Sequence, residues 1–179
     1  MPTKLRQPTS GTWGLADMKL YLMRHGHAVS PAEDPLRPLS IRGRQDVLRM
    51  AAYLKGRGFS VREIWHSSKA RACETAGLIA TALDPRVDVM EKEGLEPDDL
   101  PDLTIGRIED LRAENKQVRL MIVSHIPILP GIVRQLSPQA YSKVDFDEAS
   151  VICLSGGAQT RWSLEWAISP GALREPGHD

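Results

Sequence analysis

The chain has 179 residues, 41% hydrophobic and 26% charged, and its 23 Lys and Arg balance 23 Asp and Glu. That length and composition fit one globular domain with a full core. Zero net charge excludes a global field for nucleic acid or an anionic membrane, so attraction for a charged partner has to be local.

Residues 1–17, MPTKLRQPTSGTWGLAD, have no apolar run of the kind a signal peptide carries and read as a polar extension. KLYLMR (19–24) reads as a short apolar strand. The stretch 39–58 reads as a helix capped by Ser40, with Val47, Leu48, Ala51 and Leu54 on one face. REIWHSS (62–68) reads as a second strand, and 69–84 as a helix that buries Ala72, Ala76, Ile79 and Leu83. A short strand is expected at 87–90, then a helical pattern over 97–114 carried by Leu100, Leu103, Ile108 and Leu111. RLMIVSH (119–125) is the clearest buried strand, followed by a Pro-initiated helix at 126–136. Strands at 149–155 and 160–169 are joined at GGAQ, a hairpin-like turn, and Trp162 and Trp166 are expected on one face of the last strand. Residues 18–173 thus form one α/β domain with a short tail at 174–179. Its central sheet is mostly parallel with one antiparallel edge strand, and helices cover both faces.

No apolar run is long enough to span a bilayer. Cys73 and Cys153, the 2 cysteines, form no CxxC and read as buried small hydrophobes of a reducing compartment. A cytoplasmic location follows as the expectation.

In such sheets, ligands bind beyond the carboxyl ends of the strands. Three strands end in polar clusters: Arg24-His25-Gly26-His27, His66-Ser67-Ser68 and Ser124-His125. Arg24, Arg71 and Arg37 offer planar forks suited to phosphate oxygens, and Arg71 lies where a helix N-terminus also favours an anion. Gly26 removes a side chain where a ligand must approach the backbone. Such a pocket suits a dianion such as a phosphoryl group. His25 and His27 also form an HxH pair, with His125 as a third ligand, but no aspartate follows at metallohydrolase spacing and three arginines repel a dication. His27 is expected at the pocket rim, and His66 is expected to be structural.

LMRHGHA (22–28), DPLRPLSIRG (34–43), SSKARACET (67–75) and IVSHIPIL (122–129) occur in the order and spacing of a known family. The chain resembles the histidine phosphatase superfamily, also called phosphoglycerate-mutase-like, and within it the SixA-type phosphohistidine phosphatases. The resemblance runs from about Met18 to the WAISPGAL end and implies a three-layer phosphoglycerate-mutase-like fold. It implies that His25 is the nucleophile that takes the phosphoryl group, that Arg24, Arg37 and Arg71 hold the phosphate oxygens, and that His125 donates to the phosphate. It implies no metal and no cofactor, because the arginines supply the charge. The other nitrogen of His25 is expected to donate to a fixed acceptor, such as a backbone carbonyl, that selects its tautomer.

Many members of the superfamily protonate an ester's leaving oxygen with a carboxylic acid. Here the corresponding stretch, MEKEGLEPDDLPD (90–102), offers Glu93, Glu96 and Asp98, none in a recognisable motif. An acid-poor site without a cap domain favours phosphohistidine on a phosphorelay or phosphotransfer protein, with inorganic phosphate as product. Nucleic acid and membrane are not expected partners. Two other readings stand beside this one: a phosphatase for small phosphate esters, and a non-catalytic phosphate-binding module.

Overall fold

A computed structural model describes residues 18–114, 118–157 and 160–173. The extension 1–17, the tail 174–179 and the last two residues of the GGAQ turn, 158 and 159, lie outside the described residues. The chain runs β1 (Met18–Arg24), α1 (Ile41–Gly56), β2 (Glu63–His66), α2 (Ala70–Leu83), β3 (Asp88–Glu91), α3 (Asp102–Ala113), β4 (Arg119–Ser124), α4 (Ile128–Leu136), α5 (Pro138–Tyr141), β5 (Val151–Gly156) and β6 (Ser163–Ile168). A 3-10 turn, Pro170–Leu173, follows.

The strands form one sheet in the order β3-β2-β4-β1-β5-β6. The β1–β4, β2–β4 and β2–β3 pairs are parallel, whereas β5 runs against β1 and β6 against β5. The hairpin at the end of the chain thus supplies the antiparallel edge of a mostly parallel sheet. Within the sheet β1 lies between β4 and β5.

The sequence of β1 explains that position. Met18, Leu20 and Leu22 enter one core with Ile108, Ile132 and Val133, while Tyr21 and Met23 enter the other with Val47, Ala51 and Ile79. A strand covered on both faces reads as a continuous apolar run. Helices α1 and α2 cover one face, and α3, α4 and α5 the other. Ser40 caps α1 as expected, its Oγ accepting from the Gly43 N–H at 3.0 Å. Among the described residues no helix is long and apolar enough to cross a membrane.

Several side chains differ from the sequence reading. Leu48 is exposed, because the buried face of α1 turns through Val47, Met50, Ala51 and Leu54. Leu83 is only half-buried at the end of α2. Leu100 and Leu103 are exposed, because α3 starts at Asp102 and buries Thr104 and Ile108. Cys73 is exposed on α2, whereas Cys153 is buried. Trp162 and Trp166 are both buried but in opposite cores. The pairing shifts between Cys153, opposite Trp166, and Leu154, opposite Leu164, so Glu165 is an extra residue. Such a bulge breaks the two-residue alternation that would keep positions 162 and 166 on one face.

The loop after β1 packs directly on α1. A Cβ on Gly43 would collide with the His27 carbonyl, and one on Gly26 would stand 2.8 Å from Val47 Cγ2 and 2.9 Å from the Gly43 carbonyl oxygen. Gly43→Ala is therefore expected to lower stability by about 3 kcal/mol, the upper end for overpacking, because backbone yields less than a side chain. Urea unfolding measures this. An unchanged midpoint contradicts the packing described.

Candidate active site

Register brings the polar strand ends together. Arg24 pairs with Ser124 and His66 with Val123, so His25, Ser67 and His125 stand just beyond neighbouring strand ends. The His25 N–H donates to the Ser124 carbonyl at 3.1 Å. The imidazoles of His25 and His125 lie 4.9 Å apart, centroid to centroid. A pocket forms around them, lined by Arg24, Arg37, Arg71, Ala28, Pro97, Ile126 and Glu148. All five residues expected to hold or receive a phosphoryl group converge there.

His25 is buried, and its Nδ1 lies 2.7 Å from the Gly26 carbonyl oxygen. A carbonyl only accepts, so Nδ1 carries the proton and Nε2 presents a lone pair. The Arg71 Nε–H donates to that lone pair at 3.2 Å. Gly26 is fixed in turn by Thr75, whose Oγ1 accepts from the Gly26 N–H at 3.1 Å and donates to the Arg71 carbonyl at 2.7 Å. Thr75 therefore ties the His25 turn to the first turn of α2, which carries Arg71.

The second histidine, His125, is buried with Nε2 2.6 Å from Ser67 Oγ. Its Nδ1 is buried with no partner. Arg24 donates from Nη1 to the Phe146 carbonyl at 2.9 Å and lies 3.8 Å from a Glu148 carboxylate oxygen. The segment before β5 is closed against β1 by the Ala149 N–H, which bonds the Arg24 and His25 carbonyls. Arg37 donates from Nε to the Val29 carbonyl at 3.3 Å and has φ +51, in the left-handed region. A long side chain held in that region is strained, and such strain gathers at ligand sites. Glu74 accepts from the Leu39 N–H at 3.2 Å and from Arg44 at 2.6 Å, which fastens the Arg37 loop to α2.

Electrostatics keeps both imidazoles neutral. Burial, against the upward pull of the Gly26 carbonyl, and then the charges of Arg71, Arg24 and Arg37 lower His25 to about 4. Burial, then His25 and Arg71, lowers His125 to about 3.

The three carboxylates singled out in the sequence stand apart from the pocket lining. Glu93 and Asp98 line a separate depression with Asp99 and Asp102, and Glu93 lies 3.6 Å from Arg107. Glu96 accepts from the Ser68 N–H at 2.8 Å and lies 3.1 Å from Lys69 Nζ. Burial pulls its pKa up, but the Ser68 bonds and the Lys69 ammonium outweigh that and hold it below the ordinary value. His27 turns away to Ser40 Oγ, 2.8 Å from its Nδ1, and is not among the pocket-lining residues. His66 is buried and bonds the Ser67 carbonyl. Among the described residues no three His, Cys, Asp or Glu side chains are grouped to hold a metal ion.

Sequence reasoning missed Glu148, Thr75 and the partnership of Ser67 with His125. Glu148 sits in an acidic stretch with no spacing that marks it. The serine doublet stands out in the sequence only as part of a polar strand end.

The model of the histidine phosphatase superfamily (branch 1) matches residues 20–104, which carry Arg24, His25, Arg37 and Arg71. Phosphohistidine phosphatase SixA of Escherichia coli is 24% identical over 158 residues, 88% of this chain and 97% of the relative. The chain resembles the histidine phosphatases of the SixA type. The solved structure of the protein histidine phosphatase SixA complexed with tungstate superposes with a TM-score of 0.80 at 24% identity, covering 88% of this chain and all of the other. Phosphoglycerate mutase from Bacillus anthracis superposes at 0.70 with 14% identity, over 88% of this chain and 95% of the other. The histidine-phosphatase-like fold is therefore shared far more closely than the sequence.

The histidines carry a prediction. In an NMR titration both rings should stay neutral well below pH 6.5, with His25 protonating near pH 4 and His125 near pH 3. The unfolded chain protonates them near ~6.5. Their contribution to stability is present above that value and is lost as pH falls toward the folded pKa values. Titration of both rings near 6.5 contradicts the buried, cation-flanked site.

Proposed function

We propose that this protein is a phosphatase that removes a phosphoryl group from phosphohistidine on a phosphorelay or phosphotransfer protein. One observation carries the reading. His25 holds its proton on Nδ1 toward the Gly26 carbonyl and keeps Nε2 unprotonated, facing Arg71 in a pocket lined also by Arg24 and Arg37. A neutral nucleophile facing three fixed cations suits a tetrahedral dianion. The relative solved with tungstate supports this, because tungstate is a tetrahedral oxyanion like phosphate.

The steps balance without a further reactant. Nε2 of His25 attacks phosphorus, the bond to the leaving nitrogen breaks, and that nitrogen departs with a proton from solvent or the site. Water then attacks the phosphohistidine at His25, inorganic phosphate leaves, and Nε2 regains its lone pair. Arg24, Arg37, Arg71 and His125 stabilise the equatorial oxygens throughout, which is most of what phosphoryl transfer asks of a protein. Three guanidinium groups supply the positive charge, so the proposal includes catalysis without a metal.

Two further features support a protein-borne phosphohistidine. An imidazole leaving a phosphoramidate needs little acid help, and Glu93, Glu96 and Asp98 do not line the pocket. The segment 92–101 between β3 and α3 inserts no helix or strand above the site. Ile126, which lines the pocket, is 45% exposed, and Leu36, next to Arg37 in the chain, is 75% exposed, apolar surface that a small sugar phosphate would not use.

Glu148 favours a second reading. It is the one carboxylate among the described pocket-lining residues, and a carboxylic acid there would serve the alkoxide of a small phosphate ester. A panel of phosphohistidine protein, phosphoserine peptide and sugar phosphates, assayed with a chelator present, separates the two. Phosphohistidine should be turned over fastest, and Glu148→Gln should leave that rate within a few-fold. A preference for a small ester, lost in Glu148→Gln, overturns the first reading in favour of the second. His25→Ala should abolish turnover while phosphate still binds, and Arg71→Ala should cost about 10²–10³ in kcat/KM. Turnover surviving in His25→Ala contradicts both readings, and phosphate binding without any turnover by the wild type would point to a binding module.

A further inference from the structure

Each pocket histidine has a ring nitrogen whose partner in the chain bears on where its proton sits. For His25 the partner is a carbonyl, and the proton's place follows at once. For His125 it is the hydroxyl of Ser67, which either donates or accepts. The other contacts of Ser67 decide between these. Ser67 is fully buried, and the Lys69 N–H donates to its Oγ at 3.4 Å. An amide N–H only donates, so it occupies a lone pair of Oγ. Among the described contacts, the hydroxyl proton is left with one acceptor, His125 Nε2.

We infer that Ser67 is a positioning residue: its hydroxyl donates to Nε2 of His125 and so places that ring's proton on Nδ1. The inference rests on the reading of the pocket as a phosphoryl site. Nδ1 is buried and has no partner in the chain. A phosphoryl oxygen is a pure acceptor, which an N–H at that atom would satisfy. With the reverse tautomer, the Ser67 proton would lose its acceptor in a buried place, and a bare Nδ1 would meet any phosphoryl oxygen that reached it lone pair to lone pair. Each is costly.

Ser67 is braced for this. The His66 Nδ1–H donates to the Ser67 carbonyl at 2.8 Å, and the Ser68 N–H donates to Glu96 Oε1 at 2.8 Å. The Ser67–Ser68 peptide is thereby held at both its carbonyl and its N–H, and the 2.6 Å bond to His125 is short even for a hydroxyl. Glu96, which does not reach the pocket, acquires a role two bonds away from it. The two neutral histidines then have opposite parts. His25 offers a lone pair from Nε2, and His125 offers a proton from Nδ1 without adding a fourth positive charge to the three arginines.

Nitrogen NMR of the full chain at pH 7 tests this, with the His125 signals assigned by their loss in His125→Gln. The wild type should show Nδ1 protonated and Nε2 bare. Ser67→Ala should move the proton to Nε2, the tautomer free histidine prefers, and lower kcat/KM for a phosphorylated substrate about 10- to 100-fold, mainly in kcat. Ser67→Thr, which keeps the hydroxyl, should restore both. A wild-type Nε2–H tautomer overturns the inference, and so does an Nδ1–H tautomer that persists in Ser67→Ala. If Ser67→Ala does not fold, the wild-type and Ser67→Thr spectra still decide. Absence of turnover on every phosphorylated substrate overturns the proposed function instead, because the spectra report the proton's place independently of activity.

Discussion

The site depends on the register of three neighbouring parallel strands. β2, β4 and β1 lie side by side, with His66 opposite Val123 and Ser124 opposite Arg24. Parallel pairing places their carboxyl ends level, so the residues that follow each strand meet at one edge. A slip of one residue in either pair would turn a whole strand's apolar set onto the wrong core. Burial of β1 on both faces therefore fixes where His25 stands. The chemistry inherits its geometry from the packing of Leu20, Leu22, Tyr21 and Met23.

On that edge the electrostatic problem is to hold two imidazoles among three guanidinium groups. Burial and the cations both disfavour a charged ring, and they act in the same direction on His25 and His125. The result is a pocket lined by three guanidinium groups in which both histidines stay neutral. The anchors are spread over the chain. Thr75 holds Gly26, Glu74 holds the Arg37 loop, and Phe146 holds Arg24. Thr75 and Glu74 tie the loops after β1 to α2, and Phe146 ties Arg24 to the segment before β5, which is how a site built from short loops is kept in place.

Much of this was legible in the sequence because it lies at strand ends. Arg24, His25 and His125 each follow an apolar run, and Arg71 opens a strongly periodic helix. What was not legible depends on tertiary detail. Glu148 and Phe146 precede β5 in a segment with no periodicity, so nothing local marks them as pocket wall. Glu96 is recruited by the Ser68 amide and Lys69, neither of which is near it in sequence. The bulge at Glu165 sends Trp162 and Trp166 to opposite cores, and a two-residue period cannot foresee an inserted residue. Leu100 looked helical by spacing, yet α3 begins only at Asp102, after the Pro101 that precedes it.

The central claim is that the phosphoryl group passes through Nε2 of His25. Rapid quenching during turnover of a phosphorylated substrate, followed by peptide mapping under alkaline conditions that spare phosphoramidates, tests it most directly. The account predicts a phosphoryl group on the peptide containing His25, attached at Nε2, that appears and decays within the turnover time. A phosphoryl group found only on another side chain, or turnover with no covalent intermediate at any time, would contradict it.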